Sequence, residues 1–155
     1  MTAIEEGQQA PEFHLPRDGG ESFGLAEAQG RNVVLYFYPK DDTSGCTLEA
    51  VDFTALVGDF AAANTTVVGV SKDSVKSHEK FRAKHGLEVV LLSDETGEVC
   101  ERYGVWVEKS MYGRKYMGIE RATFLIDASG RIRRIWRKVK VQGHAAAVLE
   151  AARAL

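Results

Sequence analysis

The fold of this chain is decided by a strand, a polar loop and the start of a helix, which follow one another through residues 36–49, YFYPKDDTSGCTLE. The apolar strand ends at Pro39, and the helix is predicted to begin at about Ser44. Cys46 then lies in the first turn of that helix, beside backbone N–H groups without helical partners and at the positive end of the helix dipole. Both features favour thiolate over thiol, so the pattern indicates a nucleophilic cysteine.

Ionisation alone does not make such a cysteine an efficient catalyst. A free cysteine is about 3% thiolate at pH 7, so full ionisation raises its reactivity at most about thirtyfold. Charge that develops on a leaving group needs positioned donors as well. The sequence offers the Thr43 hydroxyl, which we expect to cap the helix, the N–H groups of Gly45 and Cys46, and an arginine from a distant strand.

The helix that follows has one apolar face. Apolar residues recur 4, 7, 11 and 14 positions after Cys46, at Ala50, Phe53, Val57 and Phe60. These offsets lie on one side of a helix, and Cys46 belongs to the same side. We therefore expect the thiol to point into the body of the protein.

Strands and helices alternate along the rest of the chain. The predicted strands are residues 32–38, 65–71, 89–93, 121–127 and 131–139, and the further predicted helices are 74–85, 97–103 and 143–155. This order implies a parallel core, with an antiparallel edge formed by the hairpin at 128–130. It fits a thioredoxin-like α/β sandwich with a mixed central sheet flanked by helices and an N-terminal extended segment. A flavodoxin-like sheet fits less well, because it needs a helix between the last two strands.

Length and composition predict a single globular domain that spans residues 1–155. The chain is 45% hydrophobic and 27% charged, and its net charge of −2 gives no bulk attraction to nucleic acid or membrane. Its apolar runs are too short to span a bilayer, and the acidic residues 1–6 lack the apolar core of a signal peptide. Two cysteines 54 positions apart form neither a CxxC nor a zinc motif, so we expect a cytoplasmic protein.

Three other features have ordinary structural interpretations. His78 and His85 share a predicted helix without a third ligand, which favours solvated surface histidines over a metal site. The basic residues of 131–140 alternate with apolar ones, as in a half-buried strand, so we expect no nucleic-acid binding. Residues 108–118, rich in glycine and charge, are predicted to form a flexible loop.

The motif Pro39-x-x-x-Thr43-x-x-Cys46 resembles the active-site signature of the peroxiredoxins. The longer string FYPKDDTxGCTxEA, residues 37–50, is similar to the bacterioferritin-comigratory-protein (Q-type) subfamily. Further matching segments follow in the expected order, at residues 69–74, 92–94, 103–105, 121–127 and 143–144. The resemblance therefore covers nearly the whole chain.

This resemblance implies a role for each residue of the site. Cys46 would be the peroxidatic cysteine, which attacks a peroxide O–O bond and becomes a sulfenic acid. Thr43 and Arg121 would hold and polarise the peroxide, Pro39 would shield the thiolate, and Glu49 would orient the arginine. The resemblance also implies an enzyme without cofactor or metal, and a monomer. The 108–118 segment would lie near the mouth of the site, where a reductant could dock.

The sequence departs from the family pattern where many relatives carry a second, resolving cysteine. Val51 stands at one such position, and the predicted helix 74–85 contains no cysteine. Ser44 replaces a proline that is common there. Cys100 is the remaining internal candidate, but a buried structural cysteine is the favoured interpretation. We therefore predict a one-cysteine mechanism, in which thioredoxin, glutaredoxin or a low-molecular-weight thiol reduces Cys46.

The predicted function is a thiol-dependent peroxidase for hydrogen peroxide and small organic hydroperoxides. A peroxide sensor that passes its oxidation to a partner protein is the alternative. A thiol–disulfide oxidoreductase of the same fold is disfavoured because there is no CxxC. A glutathione-peroxidase-like enzyme fits Thr43 and Arg121 less well.

Overall fold

A mixed sheet forms the centre of the computed structural model, which describes residues 4–155. In the described residues the strands are β1 (His14–Pro16), β2 (Ser22–Gly24), β3 (Asn32–Phe37), β4 (Thr65–Ser71), β5 (Val90–Ser93), β6 (Trp106–Met111), β7 (Arg114–Ile119), β8 (Ala122–Ile126) and β9 (Ile132–Trp136). The helices are α1 (Ser44–Ala55), α2 (Val57–Ala62), α3 (Val75–His85), α4 (Glu98–Arg102) and α5 (His144–Arg153), and a 3-10 turn covers Leu25–Ala28. Residues 1–3, part of the stretch considered for a signal peptide, lie outside the described residues.

The central sheet has five strands in the order β5-β4-β3-β8-β9. β3, β4 and β5 are parallel, and α1 with α2, and then α3, connect them. β8 runs antiparallel to β3, and β9 antiparallel to β8, so the predicted late hairpin forms the antiparallel edge. Short strands β1 and β2 pair with each other in the predicted N-terminal extended segment.

All six residues of β3 are buried. Val33, Leu35 and Phe37 pack into one core, whereas Val34 and Tyr36 pack into the other. Because successive strand side chains point to opposite faces, this uninterrupted apolar run requires cover on both sides of the sheet. The prediction of a central, doubly buried strand is confirmed.

Different elements cover the two faces of the sheet. Helices α1, α2, α3 and α5 lie on one face, where Cys46, Phe81 and Val148 belong to one apolar cluster. Helix α4 and the N-terminal segment lie on the other, where Phe13 and Cys100 belong to the second cluster. The predicted sandwich is confirmed, and the sheet separates the two cysteines.

Local signals set the ends of α3. The Ser74 side chain accepts a hydrogen bond from the Ser77 N–H at the first turn, and Gly86 ends the helix with φ 61°. That left-handed conformation suits glycine, which has no β-carbon to clash. The predicted helix and its Gly86 cap are confirmed.

The helical face predicted to run from Cys46 to Phe60 is interrupted. Helix α1 ends at Ala55, Leu56 adopts φ −105° and ψ 5°, and α2 begins anew at Val57. Phe60 is still fully buried, but Val57 is only half-buried. The prediction that Val57 continues the buried face is therefore wrong, because the helix is interrupted at Leu56 and the helical spacing from Cys46 does not continue through it.

The predicted loop at 108–118 is also wrong. Strands β6 and β7 form an antiparallel hairpin, whose turn residues Tyr112 and Gly113 have φ 53° and 78°. Two successive positive φ values are typical of the tight turn that matches strand twist. The hairpin was missed because its side chains are largely exposed and polar, so it lacks the alternation that marks a half-buried strand.

Candidate active site

Cys46 lies at the third position of α1, just beyond the loop that follows β3. Thr43 is the N-cap residue, and the first helical hydrogen bond runs from the Thr47 N–H to the Thr43 carbonyl, at 2.8 Å. The N–H groups of Gly45 and Cys46 therefore precede the helical hydrogen-bond ladder. Cys46 is only 2% exposed, so the predicted inward direction of the thiol is confirmed.

Arg121 joins Cys46 to Glu49. Its Nη2 donates to Cys46 Sγ at 3.3 Å, and its Nη1 donates to Glu49 Oε1 at 2.6 Å. Antiparallel pairing of β8 with β3 sets Ala122 opposite Phe37, so Arg121 reaches the loop between β3 and α1. Glu49 follows Cys46 by three positions and shares its helical side. The structure thus brings Arg121 to two residues of α1 that lie more than 70 positions earlier in the sequence.

Gly45 makes room for the guanidinium. A β-carbon at this position would lie 3.2 Å from Arg121 Nη2, closer than ordinary packing allows. A side chain at position 45 would therefore require a shift of a few tenths of an ångström in Arg121 Nη2, the atom that donates to Cys46. From the sequence, Gly45 is predicted only as an N–H donor, because its neighbour Arg121 lies in a distant part of the chain.

Thr43 occupies the predicted position but does not make the predicted bond. Its side chain makes no capping hydrogen bond to α1, and the hydroxyl donates to the Lys40 carbonyl at 2.8 Å. Side-chain capping by Thr43 is therefore a wrong prediction. Because Thr43 donates its hydroxyl proton to the Lys40 carbonyl, the lone pairs of Thr43 Oγ1 remain available to accept a hydrogen bond. Pro39 begins this loop, and its ring is exposed.

Burial sets the electrostatics of the Arg121–Glu49 pair. Glu49 is 1% exposed, and burial raises its pKa to about 7, although the charge of Arg121 acts in the opposite direction. Burial alone would lower the pKa of Arg121, but the charges of Glu49 and Cys46 raise it. Arg121 is thus a cation at every physiological pH, whereas Glu49 changes its charge near neutrality.

His144 forms part of the same region and stays neutral. Its Nε2 lies 2.8 Å from Thr123 Oγ1, in the strand that Arg121 precedes. Burial, followed by the charge of Arg121, lowers the pKa of His144 to about 4. The sequence placed His144 only within the family pattern, since nothing local connects it to β8.

The β6–β7 hairpin contributes Lys109. Burial lowers the pKa of Lys109, and the charge of Arg121 lowers it further, while Cys46 acts to raise it. The hairpin therefore brings a second cation close enough to interact with the site. Lys109 was not predicted as a site residue, because residues 108–118 were expected to form a loop.

Cys100 has a different environment. It is fully buried in α4, and its N–H donates to Asp94 Oδ2 at 2.9 Å. Burial, together with the side-chain hydrogen bond to Asp94, raises the pKa of Cys100. Cys100 is therefore a neutral thiol, and it lies on the opposite face of the sheet from Cys46.

His78 corrects another prediction. It is not a solvated surface residue, because it is fully buried and bonded to Asp41 and the Leu92 carbonyl. His85 does lie near the surface, where it contacts Asp42 at 2.9 Å.

Within residues 4–155, no three histidine, cysteine or acidic side chains form a group that could hold a metal ion. Nor is any helix in that range long and apolar enough to cross a membrane.

The fold and the cysteine site together define a thiol-dependent enzyme on a thioredoxin-like sandwich. The AhpC/TSA family model matches residues 6–135. A putative peroxiredoxin Bcp of Coxiella burnetii is 53% identical, over 95% of this chain and 97% of its own. A solved Xanthomonas campestris peroxiredoxin Q has a TM-score of 0.88 and 48% identity, over 92% of this chain and 90% of that one. A Xanthomonas campestris bacterioferritin comigratory protein, studied for its alkyl peroxide reduction activity, has a TM-score of 0.89 and 44% identity, over 99% and 98%.

The chain therefore belongs to the AhpC/TSA family, among the Bcp or Q-type peroxiredoxins, and is a thiol peroxidase. The family resemblance and the enzyme class predicted from the sequence are confirmed.

Proposed function

We propose that this peroxidase reduces hydrogen peroxide and small organic hydroperoxides through a sulfenic acid on Cys46, which an external thiol then reduces. The observation that carries the proposal is the Arg121 guanidinium, 3.3 Å from Cys46 Sγ and 2.6 Å from Glu49 Oε1. A fixed cation beside a buried sulfur stabilises the thiolate and the charge that develops on a departing oxygen. The alkyl peroxide reduction activity of the Xanthomonas relative supports the organic substrates.

In the first chemical step, the Cys46 thiolate attacks the hydroxyl oxygen of the peroxide. An S–O bond forms as the O–O bond breaks, so sulfur loses two electrons and the peroxide gains them. The attacked oxygen keeps its hydrogen and gives the sulfenic acid. The other oxygen takes up a proton and leaves as water or an alcohol.

The loop and helix start supply the groups that this step needs. Thr43 Oγ1 gives its own proton to the Lys40 carbonyl, so it can accept the hydrogen of the peroxide O–H. Arg121 and the N–H groups of Gly45 and Cys46 donate to the peroxide oxygens. Pro39, which has no N–H, shields the thiolate from bulk water. Glu49 keeps the guanidinium in place through its charge-assisted hydrogen bond.

The positions of the cysteines support external reduction. Cys46 and Cys100 belong to apolar clusters on opposite faces of the sheet, and Cys100 is buried as a neutral thiol. Val51, at the position of a resolving cysteine in many relatives, cannot form a disulfide. Two thiols from thioredoxin, glutaredoxin or a small thiol therefore supply the two electrons and release water and a disulfide.

Intact mass after one equivalent of hydrogen peroxide tests this mechanism. We expect a gain of one oxygen that a sulfenic-acid reagent traps at Cys46, and no gain in Cys46→Ser. Loss of two hydrogens in a monomer would show a Cys46–Cys100 disulfide and overturn the one-cysteine mechanism. Absence of any rapid oxidation at Cys46 would overturn the proposed site.

A peroxide sensor is the second candidate, and the absence of a nearby second cysteine favours it. Without an internal partner, oxidised Cys46 persists until another thiol arrives, which can belong to a target protein. Peroxide consumption over many turnovers with thioredoxin or dithiothreitol supports the peroxidase. Consumption that stops at one equivalent supports the sensor.

A further inference from the structure

A buried polar network lies beside the active-site loop, and His78 is at its centre. His78 Nδ1 is 2.7 Å from Asp41 Oδ2, and His78 Nε2 is 2.9 Å from the Leu92 carbonyl. Asp41 also accepts from the Tyr38 hydroxyl at 2.6 Å and from the Ser77 hydroxyl at 2.8 Å. Since His78 is fully buried and Asp41 is 7% exposed, bulk water does not compete for these bonds.

The bonding pattern fixes the charge of His78. The Leu92 carbonyl only accepts, so Nε2 donates to it. One proton is shared between Nδ1 and Asp41 Oδ2, and it lies on the ring because a carboxyl group is a stronger acid than an imidazolium. His78 is therefore an imidazolium paired with a carboxylate. Burial alone would lower the pKa of His78, but the hydrogen bond and charge of Asp41, with a smaller effect of Asp73, raise it. The titratable groups that face the ring are Asp41, Asp73 and Tyr38.

One peptide group connects this network to the substrate-binding hydroxyl. The Asp41 N–H donates to Asp73 Oδ2 at 2.8 Å. The carbonyl of the same peptide group, that of Lys40, accepts the Thr43 hydroxyl at 2.8 Å. Because a peptide group is planar, anchoring Asp41 sets the direction of the Lys40 carbonyl and so the orientation of Thr43 Oγ1.

We propose that His78 is a positioning residue for peroxide reduction, which, as an imidazolium bonded to Asp41, holds the Lys40–Asp41 peptide group and thereby orients Thr43. This inference rests on the proposed function of Cys46 and Thr43. It gives α3, which contributes no group to the chemistry, a direct influence on the reaction.

A double-mutant cycle tests the coupling. The rate of Cys46 oxidation by hydrogen peroxide is measured in a single turnover for His78→Gln, Thr43→Val and the double variant. We expect His78→Gln to slow oxidation about tenfold when Thr43 is present and less than about twofold in the Thr43→Val background. If His78 has only a structural role, His78→Gln should slow Cys46 oxidation equally with Thr43 and with Thr43→Val. Equal slowing in both backgrounds overturns the proposal, and so does no slowing in either. His14→Gln, at an exposed histidine bonded to Glu27, is the matched control.

The wild-type protein provides an independent test that does not depend on whether His78→Gln folds. Nitrogen-15 NMR of labelled histidine should show both ring nitrogens of His78 protonated at pH 7. A neutral ring overturns the inference. If wild-type Cys46 is not oxidised by peroxide, the proposed function fails; if it is oxidised but the cycle shows no coupling, only the positioning role of His78 fails.

Discussion

Gly45→Ala tests whether contact between Arg121 and Cys46 sets reactivity. The new β-carbon would lie 3.2 Å from Arg121 Nη2, the atom that donates to Cys46 Sγ at 3.3 Å. That contact is tighter than ordinary packing, so we expect the guanidinium to shift by a few tenths of an ångström. That shift weakens the bond to sulfur and misplaces the donor that faces the peroxide.

The same substitution should not harm the fold. Gly45 lies in the first turn of α1 and is not among the glycines with positive φ, so alanine fits the backbone. Alanine is favoured over glycine within a helix by up to about 1 kcal/mol. We therefore expect the free energy of unfolding to stay the same or rise while the reaction slows. A slower reaction without a loss of stability distinguishes this effect from a general disruption of the fold.

Rapid mixing with hydrogen peroxide provides the assay. We expect the second-order rate constant of Cys46 oxidation in Gly45→Ala to fall about tenfold, since misplacement by a fraction of an ångström is costly. Gly58→Ala is the matched control, because it lies in α2 and its β-carbon would meet nothing within 4 Å. It should gain stability without losing rate. If Gly45→Ala reacts as fast as the wild type, contact between Arg121 and Cys46 does not control the reaction.

Three further predictions concern charge and the second cysteine. Arg121→Ala should slow Cys46 oxidation by about 10²–10³, the usual loss for one stabilising donor, and Arg121→Lys should restore only part of it in the same assay. Cys100→Ala should keep turnover within about twofold, and iodoacetamide with peptide mapping should modify Cys46 rather than Cys100 in the folded wild type. The pKa of His144 falls from 6.5 to about 4 on folding, so its contribution to stability should be lost as pH falls from 6.5 to 4. Thermal unfolding across that range should show a smaller loss for His144→Gln.

Strong local signals made the region from β3 to α1 predictable. An uninterrupted apolar run, a proline and a polar loop before a periodic helix each specify their structure within a few residues. The helix start was therefore predicted at Ser44, where the structure has it. The position of Cys46 in the first turn follows from that start alone.

Contacts across the fold could not be derived in this way. Arg121 is 75 positions from Cys46, and only the pairing of Ala122 with Phe37 brings it to the site. The sequence identified Arg121 through family resemblance rather than through spacing. The contact of Gly45 with Arg121 and the interaction of Lys109 with the site were missed for the same reason, because each depends on a neighbour from another element.

Burial of His78 was missed because charged and polar residues surround it along α3. Helical periodicity reports the polarity of a face, and His78 lies on the side of Phe81, which is buried. Two polar partners outside the helix, Asp41 and the Leu92 carbonyl, make burial of an imidazolium possible. The sequence pattern along the helix does not include these partners, so it predicts that an isolated histidine is exposed to solvent.

The two cysteines occupy equivalent positions in their helices but have different electrostatic surroundings. Cys46 and Cys100 each occupy the third position of a helix, and both are buried. They differ in the charged side chain that acts on the sulfur. Arg121 donates a hydrogen bond to Cys46 Sγ, whereas Asp94 raises the pKa of the Cys100 thiol, which burial raises most. Because a cation stabilises a thiolate and an anion opposes it, we expect the same backbone position to support a nucleophile on one face of the sheet and an inert thiol on the other. If Cys46 reacts as proposed, unpaired N–H groups are insufficient, and Arg121, just before β8, is the group that distinguishes the two cysteines.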